Sequence, residues 1–164
     1  MLFKRKAKGM TVQEIATVLA LTFKESLETN AKALASTLVD VIGPPLPPNL
    51  EDEIEFLLFI SLDFAMSAGP EKELRNQLRD CFISLNPLDK RPLQQLAERA
   101  DEYAAVIRQI KDSDNRQLKV GKVLATHIGY GEDSFVAISA GIAFDNYAGA
   151  MAPLISSWLR KIEK

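Results

Sequence analysis

The chain has 164 residues, of which 47% are hydrophobic and 26% charged, and its net charge is −2. That length suits one domain with its own core, and the charge balance excludes a general electrostatic attraction to nucleic acid. The single cysteine, Cys81, excludes an intrachain disulfide, and no Asn-x-Ser/Thr sequon occurs. Both features favour a reducing, cytoplasmic location.

The N-terminal part of the chain predicts a basic end followed by a long helix. Residues 1–10 carry four positive charges, and we expect them to be solvated and disordered. The first helix should begin at Thr11, because Thr11 and Glu14 match the Ser/Thr-x-x-Glu capping box. Apolar residues spaced three and four apart carry this helix to about Ile42. The Pro-rich connector at 43–48 then ends it.

The second helix has the composition of a central one. Asn49 is predicted to cap it, with the acidic residues 51–53 placed favourably at its positive end. It runs to about Ala68. Its stretch 56–66 is apolar nearly all round, which is typical of a helix at the centre of a bundle.

Three shorter helices follow, separated by Gly and Pro. The third should start near Pro70, a residue that suits the first helical position, and should end at Asn86. The fourth, opened by Pro92, has a narrow apolar seam and a charged opposite face, so we expect it at the periphery. The fifth spans about 116–128 and ends before Gly129.

The sixth helix begins near residues 132–134 and contains one charged residue, Asp145, before Leu159. Helical spacing divides it into three faces. A large apolar stripe, which we expect to be buried, consists of Val136, Ala140, Phe144, Tyr147, Met151, Leu154 and Trp158. A face of small residues consists of Ala137, Gly141, Asp145, Gly149, Ala152 and Ser156. A mildly polar face consists of Ser139, Asn146, Ala150 and Ser157.

These elements predict an all-α fold. No alternation of apolar and polar residues is long enough for a strand. Residues 11–164 should form a single-domain bundle of about six helices, mostly antiparallel because their connections are short, with long first and last helices. The small residues spaced four apart should let another helix approach the sixth one closely.

Asp145 is the leading candidate for chemistry, because a carboxylate on a smooth helix face needs a cation, several hydrogen-bond donors or a ligand. Asp63 lies on the other apolar helix, so the two carboxylates could line one internal ligand pocket, with Asn146 beside Asp145. The structural alternative is that Asp145 is paired across a contact between two helices. The sequence leaves both hypotheses open.

His127 and Tyr130 are the remaining candidate ligand-binding residues. His127 is the only histidine, and Tyr130 follows it in a loop between two glycines. The structural alternative is a histidine that packs in the core or caps its helix. We predict no catalytic residue, no cofactor and no metal site, because the chain lacks the Glu-x-x-His pairs of di-metal bundles and any nucleophile motif.

Three hypotheses for function follow. The favoured one is a non-enzymatic helical bundle that acts through protein–protein contact as a homo-oligomer, because several helix faces call for a partner. The second is a ligand-binding or enzymatic bundle with a pocket near Asp145 and Asp63. The third is a membrane-associated protein using its basic N-terminus or its sixth helix. That helix is long enough to span a bilayer, but the central Asp145 costs about 2.5–3.5 kcal/mol on insertion scales.

Overall fold

Helices form most of the protein in the computed structural model, which describes residues 9–88, 93–110 and 115–162. The α-helices are α1 (Val12–Ser26), α2 (Lys32–Ile42), α3 (Leu50–Met66), α4 (Lys72–Ser84), α5 (Leu93–Gln109), α6 (Arg116–His127) and α7 (Ser134–Leu159). A π-helical turn, Leu27–Ala31, joins α1 to α2. The described residues are 80% helical and include no strand, so the predicted all-α class is confirmed.

The predicted first helix is one continuous run formed by α1, the π turn and α2. Its capping box is present: the Thr11 hydroxyl accepts from the Glu14 N–H, and the Glu14 carboxylate accepts from the Thr11 N–H at 2.7 Å. The run ends at Gly43, whose φ of 68° favours glycine. The π turn was not predicted. At this turn the Thr29 hydroxyl donates to the carbonyls of Glu25 and Ser26. Such a hydroxyl competes with backbone N–H groups for helix carbonyls, which perturbs a regular helix.

The helices share one hydrophobic core, with α3 buried on nearly all sides as predicted. Phe23 of α1, Phe59 of α3 and Phe82 of α4 form an aromatic cluster with ring centroids 5.6 to 6.1 Å apart. Helix α5 packs against α3 and α6 and buries Leu96 and Tyr103.

Pro92 and most of the basic N-terminal end lie outside the described residues.

Several predicted helix boundaries are shifted by a few residues. Helix α3 ends at Met66 rather than Ala68, and α4 begins after Pro70, at Lys72. The intervening turn is held by the Arg75 guanidinium, which donates to the Gly69 carbonyl at 2.8 Å. Helix α7 ends at Leu159, before the end of the chain.

Helices α6 and α7 approach each other with their backbones in contact. A Cβ atom added at Gly121 of α6 would lie 1.7 Å from the Ala137 carbonyl oxygen of α7, and one added at Gly141 would lie 1.9 Å from the Gln117 carbonyl oxygen. The small-residue face of α7 is therefore covered by α6 of the same chain in its first half. Further along this face, Gly149 is exposed, with no described atom within 4 Å of an added Cβ.

The large apolar stripe of α7 is buried from Val136 to Met151, and Trp158 is partly buried against the core, but Leu154 was predicted wrongly. Leu154 is 47% exposed, whereas Ile155 and Leu159 are buried in its place. Ile155 and Leu159 continue the buried line, each four residues beyond the last.

The glycine contact between α6 and α7 yields a stability prediction. Gly141→Ala should lower the free energy of unfolding by about 2–3 kcal/mol, because the new methyl group forces two backbones apart. Gly149→Ala on the same helix should instead raise it by about 0.5–1 kcal/mol, because the exposed site has room and alanine favours helix. Urea unfolding at equal chain concentrations measures both. Equal effects of the two variants would contradict the close contact.

Candidate functional site

Asp145 forms an ion pair with Arg116 in the first turn of α6. The Arg116 Nε lies 3.1 Å from the Asp145 Oδ1, and both side chains are partly exposed. This contact is an ion pair rather than a hydrogen bond, since no described acceptor satisfies the buried Nε–H. The Arg116 guanidinium also stacks on the Phe64 ring, 4.9 Å from its centroid. The carboxylate therefore has its cation within the chain.

Asp63 is neutralised separately, by Arg79 of α4. The arginine donates from Nε and Nη2 to the two carboxylate oxygens at 2.5 and 2.9 Å, the bidentate geometry that suits guanidinium. A cavity of about 330 Å³ beside Asp145 is lined by Arg116 and Phe64, and Asp63 is not part of its described lining. The structure thus gives the two aspartates separate partners and does not bring them into one pocket.

His127 and Tyr130 lie at the end of α6 and the loop that follows it. The His127 Nε2 is 2.5 Å from a Glu102 oxygen of α5, and the His127 carbonyl accepts from the Asn49 side-chain amide at 2.9 Å. Asn49 thus stands at the N-cap position of α3, but its side chain joins two helices rather than capping its own. Tyr130 packs partly buried against the core, and its N–H donates to the Ala125 carbonyl.

Glu53 is a buried charge that the sequence reading missed. It is only 3% exposed and accepts three hydrogen bonds of 2.7 to 3.1 Å from Arg99 of α5. The hydrogen bonds that Arg99 donates to Glu53 raise the pKa of Arg99 above its ordinary value, against the opposing effect of burial. Arg99 also donates to Glu102, which extends the network to His127. The signal was available: Glu53 shares a helix face with Leu50 and Leu57.

Two buried phenols make no hydrogen bond of ordinary geometry with the described residues. Burial raises the pKa of Tyr103 well above the ordinary value of a phenol, and the nearby Glu53 carboxylate adds to the rise. Burial also raises the pKa of Tyr147, which the Ser26 hydroxyl partly offsets. That hydroxyl donates its own proton to the Thr22 carbonyl. Both tyrosines contribute their rings to the core, and Tyr103 stacks on Phe144.

Asn146 lines an open groove between α2 and α7, which we call the α2–α7 groove. Its volume is about 410 Å³. None of the described residues that line it is charged, although 26% of the chain is. The lining consists of Asn30, Ala33, Leu34, Thr37, Leu58, Ser139, Ile142, Ala143, Asn146, Tyr147 and Ala150. The groove adjoins the unpredicted π turn through Asn30, and such turns often occur at functional sites.

An uncharged ridge runs along the exposed side of α7, beside the groove. Its five residues are spaced four apart, so they form one row on the helix surface. They are Ile138, Ile142, Asn146, Ala150 and Leu154, and all five are exposed. The three large residues are 40%, 40% and 47% exposed, and Phe135 at the start of the helix is 77% exposed. This row is the α7 ridge, an apolar row with one polar residue at its middle, which winds partway around the helix and is exposed in the described part of the structure.

Helix α7 is also the one described helix long and apolar enough to cross a membrane, by length and composition alone. Of its most apolar stretch, 44% is buried within the bundle. The backbone contact with α6 and the Asp145–Arg116 pair account for that buried part as a core helix. The exposed α7 ridge is the part that the fold of the single chain leaves unexplained.

Comparisons with known proteins assign no family to this chain: no protein-family model, no curated protein and no solved structure matches it. Among the described residues, no three His, Cys, Asp or Glu side chains come together in a group able to hold a metal ion. Of the sequence-predicted site residues, only Asn146 lies in the α7 ridge and its adjoining groove.

The two classes of ion pair should differ sharply in their effect on stability. Glu53→Gln should lower the free energy of unfolding by about 3–5 kcal/mol, because it leaves the largely buried Arg99 without a counter-charge. Asp63→Asn removes a carboxylate from the more exposed Arg79 pair, and should cost less than about 1 kcal/mol. Denaturant unfolding measures both. A cost for Glu53→Gln no larger than that of Asp63→Asn would contradict the buried network.

Tyr103→Phe should raise the free energy of unfolding by about 1 kcal/mol at pH 7, because it removes a buried hydroxyl without a described partner and keeps the ring. In the wild type, the raised pKa of Tyr103 implies stability that is complete below about pH 10 and is lost as the pH rises further, because only the unfolded phenol ionises there.

The alkaline loss provides the second measurement. Tyr103→Phe should flatten it by up to about 1.4 kcal/mol per pH unit, whereas the part due to Tyr147 should persist. Unfolding curves between pH 7 and 11 test this. A variant that is less stable at pH 7 and just as sensitive to alkali would show that the hydroxyl has a stabilising partner.

Proposed function

We propose that this protein acts through protein–protein contact and that its first partner is a second copy of the same chain. The observation that carries the proposal is the α7 ridge: five exposed, uncharged residues in one row, next to a groove whose described lining is also uncharged. Large contiguous apolar surfaces of this kind mark interaction sites, whereas single exposed apolar residues are ordinary.

The energetics favour burial of this surface. Each exposed Ile or Leu of the ridge gains about 25 cal/mol for every Å² of apolar surface removed from water. The only polar side chain in the row, Asn146, can hydrogen-bond to a partner at either its donor or its acceptor end. No charged group in the row needs to be desolvated, which removes the main cost of burying a helix surface.

The size of the face suits a stable association. The 26-residue α7 is about 39 Å long, and helices are about 10 Å wide. With the groove-facing side of α2, the face measures on the order of 600 Å², approaching the roughly 800 Å² per partner of standard interfaces. Asn30, Ala33 and Thr37 add further uncharged surface beside the ridge.

The aspartate-pocket hypothesis has less support. Asp145 and Asp63 each have an arginine within hydrogen-bonding or ion-pairing distance, so neither carboxylate needs a ligand for neutralisation. Membrane association through α7 would use the same ridge, but it would leave half of the helix packed against α6. Measurements of the protein's mass and of its binding to vesicles distinguish ligand binding and membrane association from self-association.

Ile142→Glu should convert the wild-type oligomer into a monomer, because it places two charges in the middle of the buried face. Ile83→Glu is the matched control: Ile83 of α4 is 43% exposed and lies outside the described groove lining and the ridge, so this variant should keep the wild-type mass. Native mass spectrometry and light scattering at 1–100 µM chain, on the order of ordinary interface affinities, measure both.

A wild-type monomer across this range would overturn the proposal. Native mass spectrometry would at the same time reveal a retained small molecule on that monomer, which would favour the ligand-binding alternative. Co-sedimentation of the monomer with anionic phosphatidylserine vesicles would favour the membrane alternative. Equal dissociation by Ile142→Glu and Ile83→Glu would place the interface elsewhere and would also overturn the assignment of the α7 ridge.

A further inference from the structure

We infer that two copies of the chain pair through antiparallel α7 helices, with Asn146 of each copy on a two-fold axis. The inference rests on the proposed self-association and adds its orientation and register. Three independent features of α7 support it: the position of its polar residue, the sizes of its ridge residues and the charges at its ends.

Asn146 lies at the midpoint of α7, which runs from Ser134 to Leu159. In an antiparallel pair centred on this residue, the two helices overlap along their whole length. The two Asn146 side chains then face each other, and each amide can donate to the carbonyl oxygen of the other. A single buried Asn in an apolar contact is a known means of specifying register, because any other alignment leaves the amide unpaired.

The ridge is complementary to itself in size when reversed about Asn146. Ile142 then faces Ala150, so a large residue meets a small one on each side of the axis. At the end of the helix, the 77% exposed Phe135 faces Ser157 of the other copy. Packing with alternating large and small residues keeps two helices at a constant separation.

A parallel pair would lack this complementarity. Phe135 and Ile142 would each face their own copies, which would hold the helices apart at that end. Ala150 would face Ala150, which would leave a gap at the other end. Voids between imperfectly matched surfaces forfeit dispersion contacts and reduce the gain from burial.

The charges at the two ends of α7 distinguish the orientations in the same direction. Glu132, which is 98% exposed, precedes the helix, and Arg160 follows it with its side chain exposed. Reversal about Asn146 brings Glu132 of one copy opposite Arg160 of the other. The partial charges of the helix ends also match, positive beside negative. In a parallel pair each of these charges would face its like.

Disulfide trapping tests the orientation directly. In a Cys81→Ala background, Asn146→Cys should form a covalent dimer on mild oxidation, since residues at a two-fold axis come within disulfide reach. A mixture of Ile142→Cys and Ala150→Cys chains, one of them carrying a tag, should form the mixed covalent dimer. Neither of these two variants should cross-link efficiently with itself. The Ile142 and Ala150 pair also covers the case in which Asn146→Cys fails to fold.

Self-cross-linking of Ile142→Cys and of Ala150→Cys, without the mixed product, would overturn the antiparallel arrangement in favour of a parallel one. A dimer by light scattering with no cross-link at any of the three positions would overturn the ridge register and leave self-association standing. A monomeric wild type would overturn the proposed function itself, so the two failures are distinguishable.

A charge-reversal series provides a second measurement. At low salt, Glu132→Arg should weaken dimerisation several-fold, because it places like charges opposite Arg160. Combining Glu132→Arg with Arg160→Glu should restore the wild-type dissociation constant. Glu132→Arg also removes the contact with Lys122 of its own chain, which lies 3.7 Å away, and Lys122→Ala controls for that loss. A double variant no tighter than Glu132→Arg alone would contradict the antiparallel pairing of the helix ends.

Discussion

The contact between the backbones of α6 and α7 determines much of the rest of the structure. It requires glycine at two facing positions, Gly121 and Gly141, because a Cβ at either would overlap a carbonyl oxygen of the other helix. Glycine within a helix costs about 1 kcal/mol relative to alanine, and here the close packing of two helices offsets that cost. The contact also sets the rotation of α7 about its own axis. One side faces α6, which places Asp145 beside Arg116, and the α7 ridge consequently faces outward.

The buried polar groups show how differently similar residues are accommodated. Glu53 is compensated by a guanidinium that donates three hydrogen bonds, and it connects α3 to α5. The Tyr103 phenol in the same region has no described partner, and burial of its ring in the core offsets the unpaired hydroxyl. Asp63 and Asp145 retain access to water, and each has an arginine. All three carboxylates therefore have a cationic partner within the chain.

The functional proposal rests on the α7 ridge, because no contact among the described residues accounts for its exposed apolar side chains. A core helix of a monomer normally turns polar residues outward. Helix α7 instead turns Ile138, Ile142 and Leu154 toward solvent, around Asn146. The order of residues along α7 matters as well as their composition. The large Ile142 meets the small Ala150 of a second copy only when the two helices run antiparallel. This order, together with the opposite charges at the helix ends, is the reason for preferring a second copy over a lipid surface.

Residue patterns alone predicted the helices and the polar or apolar character of their faces, because capping, proline and apolar spacing act locally. The capping box at Thr11, the end of α2 at Ile42 and the three-face division of α7 follow from residues within a few positions of each other. Local patterns predicted neither the π turn nor the exposure of Leu154. Gly121 was also not predicted as a packing site, although a glycine inside a helix often indicates close packing.

The packing of the helices shows which face meets which partner, and local patterns could not, because pairing depends on residues far apart in the chain. Asp145 could have faced a ligand, a subunit or a cation, and the approach of α6 assigned it Arg116. Glu53 could have been a solvated charge at a helix end, and the packing of α5 made it a buried one. The same packing left the α7 ridge uncovered. The sequence gives the residue types of this row, but their exposure depends on how every other helix is arranged.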